Sequence, residues 1–353
     1  MSSKATMQAT MVTQLATAGW TQSTGPSGGG SQTVTLTIAS PGVVNLTAHG
    51  LVANDQVIFA TTGALPTGIS AGTVYFVKTV LTSGTFTIAA TAGGTVIAFT
   101  GSQSGTQTMV STVRMDSAAT PWGVKTRVKM QDNAGACLTF SLENSNSTLV
   151  GGSSSSNNGC FLLPGATAFR ILANQYQCFV FTPITTGARQ YVAFGTLYLP
   201  TFLQGVLTEC GWMECNSAAD NDTTPRTSFR TILSSTGQRN LQCIANGSLL
   251  EVANAGGNNG NLFIAPARGV PGDATGQTGL HWHDSSALML EPLVGWATSA
   301  VANEALLRGQ LWGAVVIEDT FTGDATTTFD SHNWWNVTDN NTGAKQSLFI
   351  ITS

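Results

Sequence analysis

Between residues 34 and 100, apolar and polar positions alternate in short runs broken by Gly, Pro and Asn. The runs are VTLTI (34–38), VVNLT (43–47), QVIFA (56–60), TVYFVKTV (73–80), TFTIA (85–89) and TVIAFT (95–100). A period of two with β-branched and aromatic residues predicts strands, and the punctuating residues predict tight turns. Ahead of this block the period changes. Met7, Met11 and Leu15 recur every fourth residue, with Val12 and Ala18 beside them, which predicts a helix over residues 3–18. Ser2 or Ser3 is positioned to cap it, and Gly19 to end it. Its polar face is Thr and Gln, so it is marginal alone and is expected to dock on its own domain or on a neighbouring subunit. The following TQSTGPSGGGS (21–31) reads as a flexible linker.

After residue 111 the strands lengthen and become richer in aromatics. Strands are expected at 125–131, 136–143, 168–172, 177–182, 190–197, 205–213, 228–234, 249–253, 311–317 and 346–352. A second helix is expected around 298–307 (TSAVANEALL). Polar loops such as GGSSSSNNG and NAGGNNGN separate these elements, and no internal repeat is evident, which argues against a propeller or β-helix. The expected fold is mainly β: a β-sandwich or jelly-roll-like main domain at 113–353, an inserted small β-module at 31–112, and the helix and linker at 1–30.

Charged residues make up 9% of the 353-residue chain, and the formal net charge is −4. Average domains carry roughly 25%. A charge-poor surface rich in Thr, Gly and Asn suits a subunit with many neighbours, because buried unpaired charge is expensive. A compact β protein with few surface charges is the plainer alternative. No apolar run reaches the roughly 18 residues of a spanning helix, and MSSKATMQATM has no signal-like apolar core, so neither membrane nor export is expected. Arg114, Lys125, Arg127 and Lys129 form the one local basic cluster. It reads as a solvated strand face, and nucleic-acid binding is not expected.

The candidate chemistry is sparse. HWHD (281–284) is the segment most like a metal site, but it needs a third ligand, and the distant candidates Glu291 and His332 have no spacing that recruits them. The Ser/Gly tracts are loops without an apolar strand before and a helix after, so no nucleophile elbow is expected, and the chain has no phosphate-binding G-x-x-x-x-G-K-[ST] loop. Asp220/Asp222 and Glu318/Asp319 fall in loops or at strand ends without a pattern that proposes glycoside cleavage. Catalytic, cofactor and metal residues are therefore not assigned. Six cysteines lack any C-x-x-C pair: Cys137 and Cys178 sit in apolar strands, whereas Cys160, Cys210 and Cys215 are the better disulfide candidates. Free, buried thiols are the preferred reading. Trp212, Trp282, Trp296 and Trp312 read as core. Trp334 and Trp335, in DSHNWWNVTDNNTG (330–343), are the candidate contact residues, for a partner subunit or for a sugar ring.

Two parts of the chain resemble virion proteins of tailed bacteriophages. AHGLVANDQVIF (48–59) and TTGALPTGISAGTVYFV (61–77) resemble a small β-module that recurs in tail, fibre, baseplate and capsid proteins alike. ANQYQCFVF, FGTLYLPTFL and LRGQLWGAVVIED look like uncharacterised phage proteins. The resemblance implies a non-enzymatic component of the virion, in a tail, baseplate or neck, partnered by other virion proteins and homo-oligomeric. It also implies assembly in the host cytoplasm, with late or intersubunit disulfides conceivable. In this setting the module is expected to project through its Gly-rich linker. The alternatives are a receptor-binding or host-glycan-binding appendage or a capsid decoration. A depolymerase has no motif here.

Overall fold

The computed structural model describes residues 3–132, 138–143, 160–162, 169–181, 191–196, 211–215, 242–245, 248–251, 262–266, 290–298, 305–317, 326–329, 332–336 and 347–351. These residues are mainly β, with one helix among them. The chain divides into two compact units: Met1–Asp116 with Arg127–Ser141 and Phe161–Thr167, and Ser117–Thr126 with Leu142–Cys160 and Ala168–Ser353.

The first unit begins with α1 (Ser3–Thr17) and β1 (Thr21–Thr24). Six strands follow: β2 (Ser31–Thr37), β3 (Val43–Asn45), β4 (Gln56–Thr61), β5 (Val74–Thr82), β6 (Thr85–Ala89) and β7 (Gln107–Ser111). They close into a barrel in the order β2-β3-β6-β5-β4-β7. Alternation places Val34, Leu36, Val57, Phe59, Phe86, Ile88 and Met109 in one buried core. Strand β7 pairs with both β2 and β4 and so completes the circle. Residues 95–100, expected to be a strand, instead make isolated bridges (Ala89↔Val96, Thr67↔Thr100). This segment delivers Phe99, fully buried, to the core. Gly42 lies against that ring, and a Cβ there would fall 2.3 Å from it.

Beyond the barrel come β8 (Val113–Asp116), β9 (Arg127–Asp132), β10 (Leu138–Glu143) and β11 (Cys160–Leu162). With β1 they form a sheet ordered β1-β8-β9-β10-β11. Strand β1 pairs antiparallel with β8, Thr21 opposite Asp116 and Thr24 opposite Arg114. The whole barrel is thus inserted between two strands that are direct neighbours. Helix α1 packs on β1, β2 and β9. Its Met7, Met11 and Leu15 are buried, as are Val113, Met115, Val128 and Met130 on the sheet.

The helix ends as its sequence predicts. Gly19 has φ +98°, Trp20 N–H donates to Leu15 C=O (2.9 Å) and Gly19 N–H to Ala16 C=O (3.1 Å). This is the paired 6→1 and 5→2 arrangement of a Schellman cap, with Leu15 and Trp20 both buried.

In the second unit, β12 (Arg170–Ala173), β13 (Gln177–Phe181), β14 (Tyr191–Thr196), β15 (Gly211–Cys215), β16 (Gln242–Ala245) and β17 (Ser248–Glu251) form an antiparallel meander in chain order. A second six-stranded sheet comprises β18 (Leu262–Pro266), β19 (Leu290–Thr298), β20 (Ala305–Ile317), β21 (Thr326–Phe329), β22 (His332–Asn336) and β23 (Ser347–Ile351), ordered β18-β19-β20-β23-β22-β21. The helix expected at 298–307 is corrected by this sheet. Thr298, Ala297 and Trp296 pair with Ala305, Leu306 and Leu307, so the pairing of a long hairpin overrides the helical propensity of ALL. The strand expected at 228–234 lies outside the described residues.

Candidate functional site

The residues at the neck of the barrel carry most of the geometry. The segment expected to be a flexible linker is an ordered turn. The Gln22 carboxamide donates to the carbonyls of Gly25 (2.9 Å) and Pro26 (2.6 Å), and its Oε1 accepts from Gly28 N–H (3.1 Å). Gly25, Gly29 and Gly30 have φ values of +88°, +59° and +71°. At Gly25 a Cβ would also lie 2.6 Å from the Thr112 carbonyl, so only glycine fits. The composition of a linker and of a tight glycine turn is the same, and only partners tell them apart.

The segment AHGLVANDQVIF (48–59) forms the turn facing this neck and leads into β4. Ala48 (φ +52°), Gly50 (+56°) and Asn54 (+70°) take left-handed conformations. His49 is buried. Its Nδ1 accepts from Leu51 N–H (2.9 Å), so the proton sits on Nε2, which donates to the Thr82 carbonyl (3.1 Å). The ring meets Phe86 edge-on at 4.9 Å. Gly50 C=O accepts from Gly25 N–H (3.1 Å). Asp55 accepts from Val52 N–H (2.9 Å) through Oδ2 and pairs with the Arg114 guanidinium (2.7 Å) through Oδ1. His49 and Asp55 thus have structural tasks, and neither is arranged as a base beside a nucleophile.

The basic cluster is corrected as well. Arg114 is buried and also donates to Thr24 Oγ1 (3.0 Å). Arg127 grips Asp116 through Nε (2.6 Å) and Nη2 (2.8 Å), while Lys129 is buried and Lys125 is exposed. Strand register sets Asp116 opposite Arg127. The basic residues are therefore largely consumed inside the fold rather than displayed to an anion.

Trp334 and Trp335, the candidate contact residues, stand in β22, which is paired on both sides: with β21 (Thr327↔Trp334, Thr326↔Trp335) and with β23 (Trp334↔Ile351, Trp335↔Ile350). Thr326, Thr328 and Asn333 on this hairpin are exposed, and Thr328 Oγ1 donates to Asn333 Oδ1 (2.8 Å).

Elsewhere, the 117–126 segment holds itself to β14 by hydroxyls. Thr196 Oγ1 donates to Thr126 Oγ1 (2.7 Å), Thr126 Oγ1 donates to Gly195 C=O (3.2 Å), and Ser117 Oγ lies 3.2 Å from Thr196 Oγ1. All three are buried, and no base adjoins them in this network, which makes it a structural knot rather than a catalytic triad. Cys178 is a free, buried thiol, and desolvation pushes its ionisation well above the ordinary thiol range. HWHD, Trp282, Cys137, Cys210 and the two carboxylate pairs lie outside the described residues, and Glu291 and His332 stand in β19 and β22. Among the described residues no group of three or more His, Cys, Asp or Glu could hold a metal ion, and no helix is long and apolar enough to cross a membrane. No protein-family model matches the chain, and no curated protein matches it significantly.

Proposed function

We propose that this protein is a non-enzymatic structural component of a tailed-phage particle, in its tail, baseplate or neck, acting through contacts with other virion proteins and further copies of itself. The observation that carries this reading is the barrel at 31–111. It coincides with the phage-like segment and contains only two formally charged residues, Asp55 and Lys78, of which Asp55 is consumed by Arg114. Identical subunits meet most easily through surfaces without like charge, and the energy then comes from apolar and hydrogen-bonded contact. The main part of the second unit is read as a β-sandwich made by its two six-stranded sheets. Cryo-electron microscopy of whole particles tests the reading. Density for this chain in a ring at the neck, tail or baseplate supports it; its absence from the particle overturns it.

A second reading, a host-glycan-binding appendage, is favoured by the β21–β22 hairpin. Trp335 is the register partner of exposed Thr326, beside exposed Thr328 and Asn333, a combination of aromatic and polar side chains that suits a sugar. Glycan-array binding that is lost in Trp335→Ala and Asn333→Ala, with density confined to fibre tips, would select it over the first.

A further inference from the structure

The barrel enters the chain at Gly30 and leaves it at Ser111, and one side chain touches both ends. Gln8 of α1 is fully buried. Its Oε1 accepts from Gly30 N–H (2.9 Å), and its Nε2 donates to Ser111 C=O (2.9 Å) and to Met130 C=O on β9 (3.4 Å). On an otherwise apolar helix face, a glutamine bonded to three separate backbone segments is hard to explain as packing, since a leucine would fill the same volume without desolvating an amide. Further ties cross the same neck. Asp55, in the turn before β4, pairs with Arg114 of β8, and Arg114 reaches Thr24 of β1. Gly25 N–H bonds to Gly50 C=O, and Gln56 N–H bonds to Thr112 Oγ1. Lys4 of α1 pairs with Asp132 at the end of β9.

We propose that the neck is a locked joint: α1 is its bolt, Gln8 and the Asp55–Arg114 pair are its two catches, and the barrel is held in one fixed orientation on the β1–β8–β9 layer. The barrel is then a rigid arm that transmits position and force, rather than a tethered appendage that samples its surroundings. The requirement explains why the neck uses side chains that each bridge several segments. A barrel on a hinge would need none of them.

Backbone 15N relaxation on the full chain tests the proposal. Barrel amides such as Val77 and Ile88 and sheet amides such as Met115 and Val128 are expected to share one rotational correlation time. In Gln8→Ala combined with Asp55→Asn and Arg114→Met, barrel amides keep their chemical shifts but lose the shared correlation time. In Gln8→Ala alone, the Gly30 amide exchanges with solvent about tenfold faster, the change expected from one lost buried hydrogen bond. Barrel amides that tumble independently of the sheet in the unaltered protein overturn the proposal, whatever the variants do. So does a triple variant whose barrel stays folded and still tumbles with the sheet.

Discussion

Single residues here do their work by exclusion and by pairing. Asp55 and Arg114 are both almost fully withdrawn from water, so removing one partner strands the other. Asp55→Asn preserves an acceptor for Val52 N–H but deletes the charge. It is expected to cost about 3–5 kcal/mol in urea unfolding, and Arg114→Met added to it is expected to restore most of that loss. Cys178 gives a second test. A buried thiol held protonated does not alkylate, so an iodoacetamide pulse at pH 8 should leave the peptide containing Cys178 unmodified until denaturant is added. The sequence placed Cys178 in an apolar strand because its neighbours are Phe and Val, and that much was local. The tasks of Gln8, His49 and Arg114 were not legible, because each depends on backbone groups that lie far along the chain (Gln8 and Met130 are 122 residues apart).

At the scale of the element, the best-read piece was α1, where a four-residue period and a terminating glycine both point one way. Gly19 is the position on which the cap turns. Gly19→Ala puts a Cβ into a left-handed conformation and is expected to lower stability by about 1 kcal/mol, read as a lower thermal midpoint. Its exposed face is weak by design. Thr13 and Thr17 spend their hydroxyls on carbonyls one turn back, so Thr13→Ala with Thr17→Ala is expected to raise stability slightly, by roughly 0.5–1 kcal/mol in the same assay. Strands were harder to read. The QTMVS of β7, which closes the barrel, is not among the expected strands, because alternation over five residues after GSQSGT is weak against that background. The segment 298–307 failed for the opposite reason. Its local propensity is helical, and the partner strand that overrides it is supplied by residues 290–298.

For the whole molecule, the mainly β character was legible from patterning and turn residues. The arrangement of the large unit was not, since sheet order is set by pairings between distant segments. The barrel's core is self-contained and its strands have no unpaired place in the closed order, so residues 28–113 expressed alone are expected to fold, with dispersed amide resonances and a cooperative melt. The junction that hosts it also has a bearing on how the chain finds its structure. Thr24 and Arg114 meet although they are 90 residues apart, a separation that makes their encounter slow and entropically costly for an open chain. If the intervening strands collapse first, the effective loop shrinks to the few residues outside the barrel, and the closure cost falls by about 2 kcal/mol. The insertion therefore acts as its own chaperone for the sheet around it: a long-range contact becomes a local one, and β1 and β8 zip together as if they were the two arms of a hairpin.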